Sequence, residues 1–421
     1  MIIGFHRIDG QLCCDGIALE AIAAEFGSPL YVYSAAAIEA AYSRFDRAVC
    51  NGRGVVHFAV KSNSNLAILR LLARLGAGAD IVSGGEMQRA LKAGFAPEKI
   101  IFSGVGKTDQ EIEAALEAGI GQINAESLSE VERVLALARN MGRSTPCRLG
   151  LRINPDVATD THAKISTGKS DTKFGVPAAE AADLYRLIAT SGVIEPAGLA
   201  VHIGSQIMDE APFEAAWIAL LDIAEGLRED GFDVPMLDLG GGLGIDYRDG
   251  TPADADALGA AVTRVFGNRP YRLGFEPGRY LLAEAGVLLT RVLHSKPATE
   301  KTFAIVDGAM NDLIRPTLYE AWHRIEPVSD TAGAVQPTDI VGPVCETGDY
   351  LGLGHSLPPL QRGDLLAVRS AGAYGAVMRS NYNTRPFAAE ILIINGEARP
   401  ISVQQTVADL LAQDRIPPEL Q

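Results

Sequence analysis

The sequence is short of basic residues, of paired cysteines and of long apolar runs, and each shortage excludes a class of protein. Lys and Arg number 37 against 52 Asp and Glu, for a formal net charge of −15, and the pI is near 5.0. Such an acidic chain is a poor partner for nucleic acid or for an anionic membrane, although it is compatible with local basic sites for small anions. The five cysteines, Cys13, Cys14, Cys50, Cys147 and Cys345, form no C-x-x-C pair and no even framework. That usage points to a reduced, cytoplasmic setting. No apolar stretch approaches the roughly 18 residues of a membrane span. The first residues lack a basic region followed by an apolar run, so no secretion signal is expected. None of the seven His residues has metal-ligand spacing, and no metal is expected.

What is present is enough apolar material for a large core. The 421 residues are 47% apolar, which suggests two or three folded domains. The chain is organised around Val55–Asn65, where an apolar run containing His57 ends in Lys61, followed by Ser and Asn residues. Leucines at 66, 69, 72 and 75 then mark a helix, so the segment reads as strand, loop and helix. Lys61 is placed at the end of a buried strand. It either snorkels to solvent or serves as an amine nucleophile for a carbonyl cofactor.

The same unit recurs. Short apolar runs end near Lys61, Val82, Ser103, Ala125, Ile153, His202, Leu239 and Phe275, and most are followed by helical patterns, several of which end in Gly. Eight strand–helix units in about 220 residues predict an α/β fold of the (β/α)8 TIM-barrel type, in which chemistry gathers where strands end. Those ends carry Lys61, Asp80, Glu126, Arg152, Asn154, His202, Ser205, Gly240–Gly242, Glu276 and Arg279, while the strands themselves are apolar. After about residue 281 the texture changes to strand-like runs between Gly, Pro and Asp turns. A barrel over residues 31–280 is therefore expected. Residues 1–30 with 281–421 are expected to form a β-rich domain, closed by a short helix at about 404–413.

Individual motifs sharpen the picture. Gly240–Gly242 follows the seventh strand, where three glycines let backbone N–H groups approach a phosphate; a simple turn is the plainer alternative. The segment SGVGKT at 103–108 is not a nucleotide loop, because Ile101 stands where that loop needs Gly. In FEPGRY, Glu276 and Arg279 are either an ion pair or a carboxylate for a pyridine nitrogen with a neighbouring cation. His202 is either a satisfied core residue or a ring that stacks on a flat cofactor. Cys345 and Glu346 share a Gly-rich polar loop, which suits a positioned thiol. Arg315 precedes Pro316, which predicts extended backbone at Arg315, and its guanidinium is either an isolated surface charge or a clamp for a carboxylate.

Taken together, FAVKSN, DIVSGGE, LRINPD, HAKISTGKSDTKFG, HIGSQI, LDLGGGLG, FEPGRY, DGAMNDLIRPTLYEAWH, GPVCETGD and SAGAYG resemble the fold-type III pyridoxal-phosphate-dependent decarboxylases. Within them the chain is similar to the diaminopimelate decarboxylases, nearly end to end, with RPTLY and CETGD the most specific segments. Ser62 and Thr347 replace residues common in the family, neither at a position expected to do chemistry. The resemblance implies pyridoxal 5'-phosphate as cofactor and decarboxylation of meso-diaminopimelate to L-lysine and CO2, the last step of lysine biosynthesis. It implies that Lys61 forms the Schiff base, that His202 stacks on the ring and that Glu276 contacts the pyridine nitrogen. Ser205, Gly240, Gly241, Gly242 and the backbone at Gly278 and Arg279 are implied to hold the phosphate, with Asp80, Arg152 and Tyr374 beside the cofactor. Arg279, Arg315, Tyr319 and Tyr374 are implied to contact the substrate, with Glu346 on its distal ammonium. Cys345 is implied to deliver a proton from the second subunit of a homodimer. Related decarboxylases of ornithine or arginine are the nearest alternative, but their substrates lack a distal carboxylate for Arg315.

Overall fold

The structure is a computed structural model that describes residues 3–141, 147–157 and 172–421. Most of the HAKISTGKSDTKFG segment, residues 162–171, lies outside the described residues. The chain divides into two compact units, Glu39–Ile245 with Pro252–Leu281, and Met1–Ile38 with Asp246–Thr251 and Leu282–Gln421.

The first unit is a closed parallel barrel. Its strands are Gly54–Ala59, Gly78–Ile81, Ile100–Phe102, Gln122–Ala125, Arg148–Asn154, Glu195–Val201, Met236–Asp238 and Arg272–Phe275. Each pairs in parallel with the next, and the last returns to the first through Leu273↔Gly54 and Phe275↔Val56. The expected TIM-barrel class is observed, and strand ends fall within one residue of the apolar-run ends except at the first strand, which ends at Ala59 and leaves Lys61 on a 3-10 turn, Val60–Ser62. Parallel pairing demands a crossover after each strand, and the intervening segments supply helices with distinct end signals. Ser83 and Ser127 cap Gly84–Ala93 and Leu128–Asn140, and Thr108 with Glu111 forms a capping box on Asp109–Ala118. Gly94 and Gly119 end two of these helices in the left-handed conformation. One glycine is required inside the barrel wall: Gly198 has φ +134°, and a Cβ there would lie 1.9 Å from the Met236 carbonyl oxygen. The sixth strand shifts register at this point, between Pro196 and Leu199.

The second unit is β-rich. A mixed sheet orders the strands Tyr350–Leu357, Gln336–Val341, Thr302–Val306, Gly286–Pro297, Leu30–Ser34, Ala389–Ile394 and Glu397–Ser402. The N-terminal strand Leu30–Ser34 runs antiparallel to Gly286–Pro297 and parallel to Ala389–Ile394, so the early segment belongs to this sheet. Its apolar side chains Leu30, Val32, Val287, Leu289 and Ile391 pack into one buried cluster with Leu12, Leu19 and Ile22. Tyr350–Leu357 forms a strand although its glycines and His355 dilute the β signal of its sequence. The terminal helix is shorter than expected, Val407–Leu411, and buries no residue; without a core-facing stripe, only the capping box of Thr406 and Asp409 supports it. Among the described residues no helix is long and apolar enough to cross a membrane.

His57 in the first barrel strand is buried, with Nδ1 3.1 Å from the Lys99 carbonyl oxygen. The carbonyl accepts, so Nδ1 carries a proton. Burial pushes its pKa down to about 4 from 6.5. Between those values the unfolded chain binds the extra proton. Stability is therefore full above pH 6.5 and falls as pH drops towards 4, by about 3 kcal/mol from this residue. A His57→Gln variant should show a flatter loss of stability over that window in urea titrations at pH 7 and 4.5. Identical pH slopes for the two proteins would remove His57 as the cause.

Candidate active site

The barrel mouth gathers the residues expected there. Lys61 Nζ lies 2.6 Å from Asp80 Oδ2. Asp80 is fully buried at the end of the second strand, and its Oδ1 has no hydrogen-bond partner among the described residues. Lys61, His202, Glu276 and Arg152 line one cavity of about 400 Å3, with Ser103–Gly106 and Phe174 on its wall. Arg152 Nη1 pairs with Glu126 Oε1 at 3.2 Å, and its guanidinium sits over Phe174, 4.8 Å from the ring centroid. Glu126 also accepts the N–H groups of Gly104 (2.8 Å) and Gly175 (3.0 Å), tying two mouth loops to the barrel. Asn154 donates to the Phe174 carbonyl at 3.2 Å.

The glycine run is packed rather than open. The Gly240 N–H donates to Asp238 Oδ1 (3.0 Å) and the Gly241 N–H to His202 Nδ1 (3.2 Å). A Cβ on Gly241 would lie 2.0 Å from the Glu276 carbonyl oxygen, so close backbone approach alone demands glycine there. The hydrogen bond from Gly241 also fixes the imidazole tautomer: Nδ1 accepts, so Nε2 carries the proton. Burial, then Arg152 and Lys61, hold the His202 pKa well below its usual value. The 3.8 Å approach of His202 Nδ1 to Glu276 Oε2 is therefore a contact of a neutral ring and not an ion pair. Arg279 is buried after the eighth strand and donates to Ser205 Oγ at 3.0 Å.

Three buried carboxyls, Asp80, Asp238 and Glu276, share this mouth. Burial, followed by Asp238 and Asp80, raises the Glu276 pKa well above the carboxylate range, against Lys61 and Arg152. Burial likewise raises Asp238. Asp238 is a functional candidate beyond those expected from the sequence, and its signal there is a lone carboxylate in an apolar strand before three glycines. Lys107, in the rejected nucleotide-loop segment, is buried and donates to the Gly104 and Asn124 carbonyls and to Glu130, all within 2.8 Å. Its ammonium holds the loop to the barrel.

The remaining candidates lie in the β-rich unit. Arg315 is the first residue of a one-turn helix, Arg315–Tyr319, which corrects the expectation of extended backbone there. Pro316 at the start of a helix removes an N–H that has no acceptor in the helix anyway, so the turn tolerates it. Arg315 and Tyr319 are four residues apart and share a face of that turn. Thr317 Oγ1 donates to the Gly348 carbonyl at 2.6 Å, and Tyr350 Oη to the Pro316 carbonyl at 3.3 Å. These bonds join the helix to the loop that carries Cys345 and Glu346, both exposed. Asp349 organises the loop by accepting the N–H groups of Val344 (2.6 Å) and Met310 (2.7 Å), and Asn383 accepts the Cys345 N–H at 3.2 Å. Tyr374 is half-buried with φ +56°, a strained conformation for a non-glycine residue.

A family model described as pyridoxal-dependent decarboxylase, pyridoxal binding domain, matches residues 35–283. The diaminopimelate decarboxylase of Pseudomonas fluorescens is 49% identical over 417 residues, covering 99% of each chain. That of Zymomonas mobilis is 46% identical over 419 residues, 98% of this chain and 99% of its own. The chain belongs to the diaminopimelate decarboxylase family. The crystal structure of the M. jannaschii diaminopimelate decarboxylase in complex with L-lysine superposes with a TM-score of 0.94 at 35% identity, over 99% of both chains. The Helicobacter pylori diaminopimelate decarboxylase, also with L-lysine, gives 0.90 at 38% identity over 94% of this chain and 98% of its own.

The cofactor of this decarboxylase family is pyridoxal phosphate, and the residues present fit it. Its aldehyde needs an amine, and Lys61 faces the cavity. Its flat ring needs a slot, which the neutral His202 and the buried Glu276 border. Its phosphate needs backbone that approaches without side chains. Gly278 carries no side chain, and beside it the buried Arg279, which donates to Ser205 Oγ, supplies a cation. The donor set of amine, carboxyl and guanidinium is the one a pyridine aldehyde phosphate calls for.

Lys61 is also a counter-ion for buried acid. A Lys61→Met variant should lose stability on the order of 3 kcal/mol in its cofactor-free form, because Asp80 is left buried without its partner. Adding Asp80→Asn should restore much of that loss in a urea titration; a double variant as unstable as the single one would show that the pair is not the cause.

Proposed function

We propose that the chain decarboxylates meso-2,6-diaminopimelate to L-lysine and CO2, with a division of labour between the barrel unit and the β-rich unit. The single observation that supports it best is Lys61 facing a cavity at the barrel mouth, opposite the buried carboxyl of Glu276. In this reading Lys61 holds the cofactor aldehyde, and Ser205, Gly240, Gly241, Gly242, Gly278 and Arg279 hold the phosphate. His202 covers the ring face, while Asp80, Arg152 and Tyr374 support the cofactor's surroundings.

The bound cofactor supplies an electron-withdrawing ring that accepts the electron pair left when CO2 departs. Glu276 holds a proton at the pyridine nitrogen, and its low-dielectric surroundings make that proton effective. The substrate carries a second amino-acid centre at its far end, so recognition needs a cation and an anion together. Arg279, Arg315 and Tyr319 bind the distal carboxylate, and Glu346 binds the distal ammonium. Cys345 of the partner subunit delivers a proton to the carbon that lost CO2, which makes the working unit a homodimer with shared sites. Its exposed loop in the single chain suits a group offered to a neighbour. Free thiols suit a cytoplasmic setting.

The deciding experiment is CO2 release by the cofactor-loaded protein from meso-diaminopimelate, ornithine, arginine and lysine. Release from the first alone, with lysine formed, is expected; release from ornithine or arginine instead would overturn the distal-site assignment. An Arg315→Ala variant should lose on the order of 2–5 kcal/mol in kcat/KM for meso-diaminopimelate, the cost of leaving a buried carboxylate unpaired. Cys345→Ala should lower turnover while the cofactor still binds, and full turnover in that variant would rule out the thiol as proton donor.

A further inference from the structure

Arg315 is 5% exposed, and two side chains from different parts of the chain close on its guanidinium. The first is Tyr247, whose ring centroid lies 4.2 Å from the guanidinium carbon. The second is His323, whose Nε2 lies 2.7 Å from Arg315 Nη1. His323 is completely buried, and its Nδ1 is 2.8 Å from the Arg369 carbonyl oxygen. A carbonyl only accepts, so Nδ1 carries the hydrogen and Nε2 presents a lone pair to the arginine, which only donates. Tyr247 meets the His323 ring edge-on, with centroids 4.9 Å apart and planes at 69°. Tyr247 sits in a small closed loop, in which the Asp246 N–H donates to the Thr251 carbonyl (2.7 Å) and the Gly250 N–H to the Asp246 carbonyl (2.8 Å). The next residue, Arg248, lies over Trp322, which stacks on His355 at 4.0 Å. The loop is thereby seated on the Trp322–His323 pair by two independent ring contacts.

We infer that His323 and Tyr247 are positioning residues that aim the Arg315 guanidinium and so set selection for a substrate with a distal carboxylate. The inference rests on the reading of Arg315 as the distal carboxylate clamp. Its physical logic lies in the choice of partner. A carboxylate at position 323 would hold the guanidinium more strongly but would cancel its charge. A neutral imidazole orients the guanidinium plane without itself cancelling the charge that binds an anion. The Tyr247 face fixes the same plane from one side without adding charge. With the plane set in advance, less side-chain freedom is lost when a carboxylate binds.

The test compares two ligands that present the same amine to the cofactor. L-Lysine keeps the distal amino-acid centre, whereas 1,5-diaminopentane lacks its carboxylate. In calorimetry on the cofactor-loaded protein, His323→Phe should weaken L-lysine binding about ten- to a hundredfold, the effect of losing a hydrogen bond to a charged group. Binding of 1,5-diaminopentane should be unchanged. KM for meso-diaminopimelate should rise by a similar factor with kcat little altered. His323→Gln, whose Oε1 can accept the same N–H, should restore most of the lysine affinity, and His323→Glu should not. Equal weakening of both ligands in His323→Phe, or no weakening of either, overturns the inference. If His323→Phe does not fold, equal lysine affinity in the Gln and Glu variants overturns it as well. Arg315→Ala is the control: if it leaves the preference for L-lysine over 1,5-diaminopentane intact, the clamp reading itself fails. Loss of that preference in Arg315→Ala alone, with His323→Phe unchanged, rejects only the positioning role.

Discussion

Hydrogen bonding between Gln122–Ala125 and Arg148–Asn154, and between Arg272–Phe275 and Gly54–Ala59, closes the parallel sheet on itself. Closure brings eight strand ends, scattered over more than two hundred residues of sequence, to one rim. Without it, Lys61, His202 and Glu276 would be isolated polar groups at the ends of unrelated strands. With it, they border one cavity. The wall tolerates this convergence only where backbone meets backbone without a side chain between, as at Gly198 and Gly241.

The rim concentrates negative charge that the chain then has to manage. Asp80, Asp238 and Glu276 are buried near one another, and burial pushes Asp238 and Glu276 towards their protonated forms. Lys61 and Arg152 oppose the shift. A carboxyl that keeps its proton more readily than in water is suited to holding one at a ring nitrogen, and an imidazole kept neutral is suited to lying against a flat ring. The same desolvation prepares the rim for a charged, planar guest. Lys107, Glu126 and Glu130 show the supporting layer: their polar groups are used up in anchoring the mouth loops.

The β-rich unit handles its charge differently. Arg315 is buried against an aromatic face and a neutral imidazole. Its helix is tied to the Cys345 loop through Thr317 and Tyr350, so two motifs read separately in the sequence form one piece of structure.

The order of elements, the barrel class and the positions of the strand ends were legible in the sequence, because burial imposes a period on apolar residues and helix ends require particular caps. Lys61 was legible as a charge that burial penalises, Glu276 as a carboxylate at a strand end, and Arg315 only as a guanidinium suited to an anion. Family resemblance supplied their suggested roles. The conformation at Arg315 was misread, because the local preference set by Pro316 is weaker than the packing of the buried guanidinium and the single turn it occupies. Asp238 passed unremarked in an apolar strand, and His323 and Tyr247 carry no local signal at all. Their partners are far apart in sequence: Tyr247 and Arg315 meet only when the loop at 246–251 is seated on Trp322. Sequence by itself determined which segments bury their apolar faces and where the backbone turns, since those are local properties of side-chain type. Only the tertiary structure decided which imidazole is neutral, which carboxyl is raised and which way a guanidinium points, because those depend on neighbours brought within hydrogen-bonding distance by the closed fold.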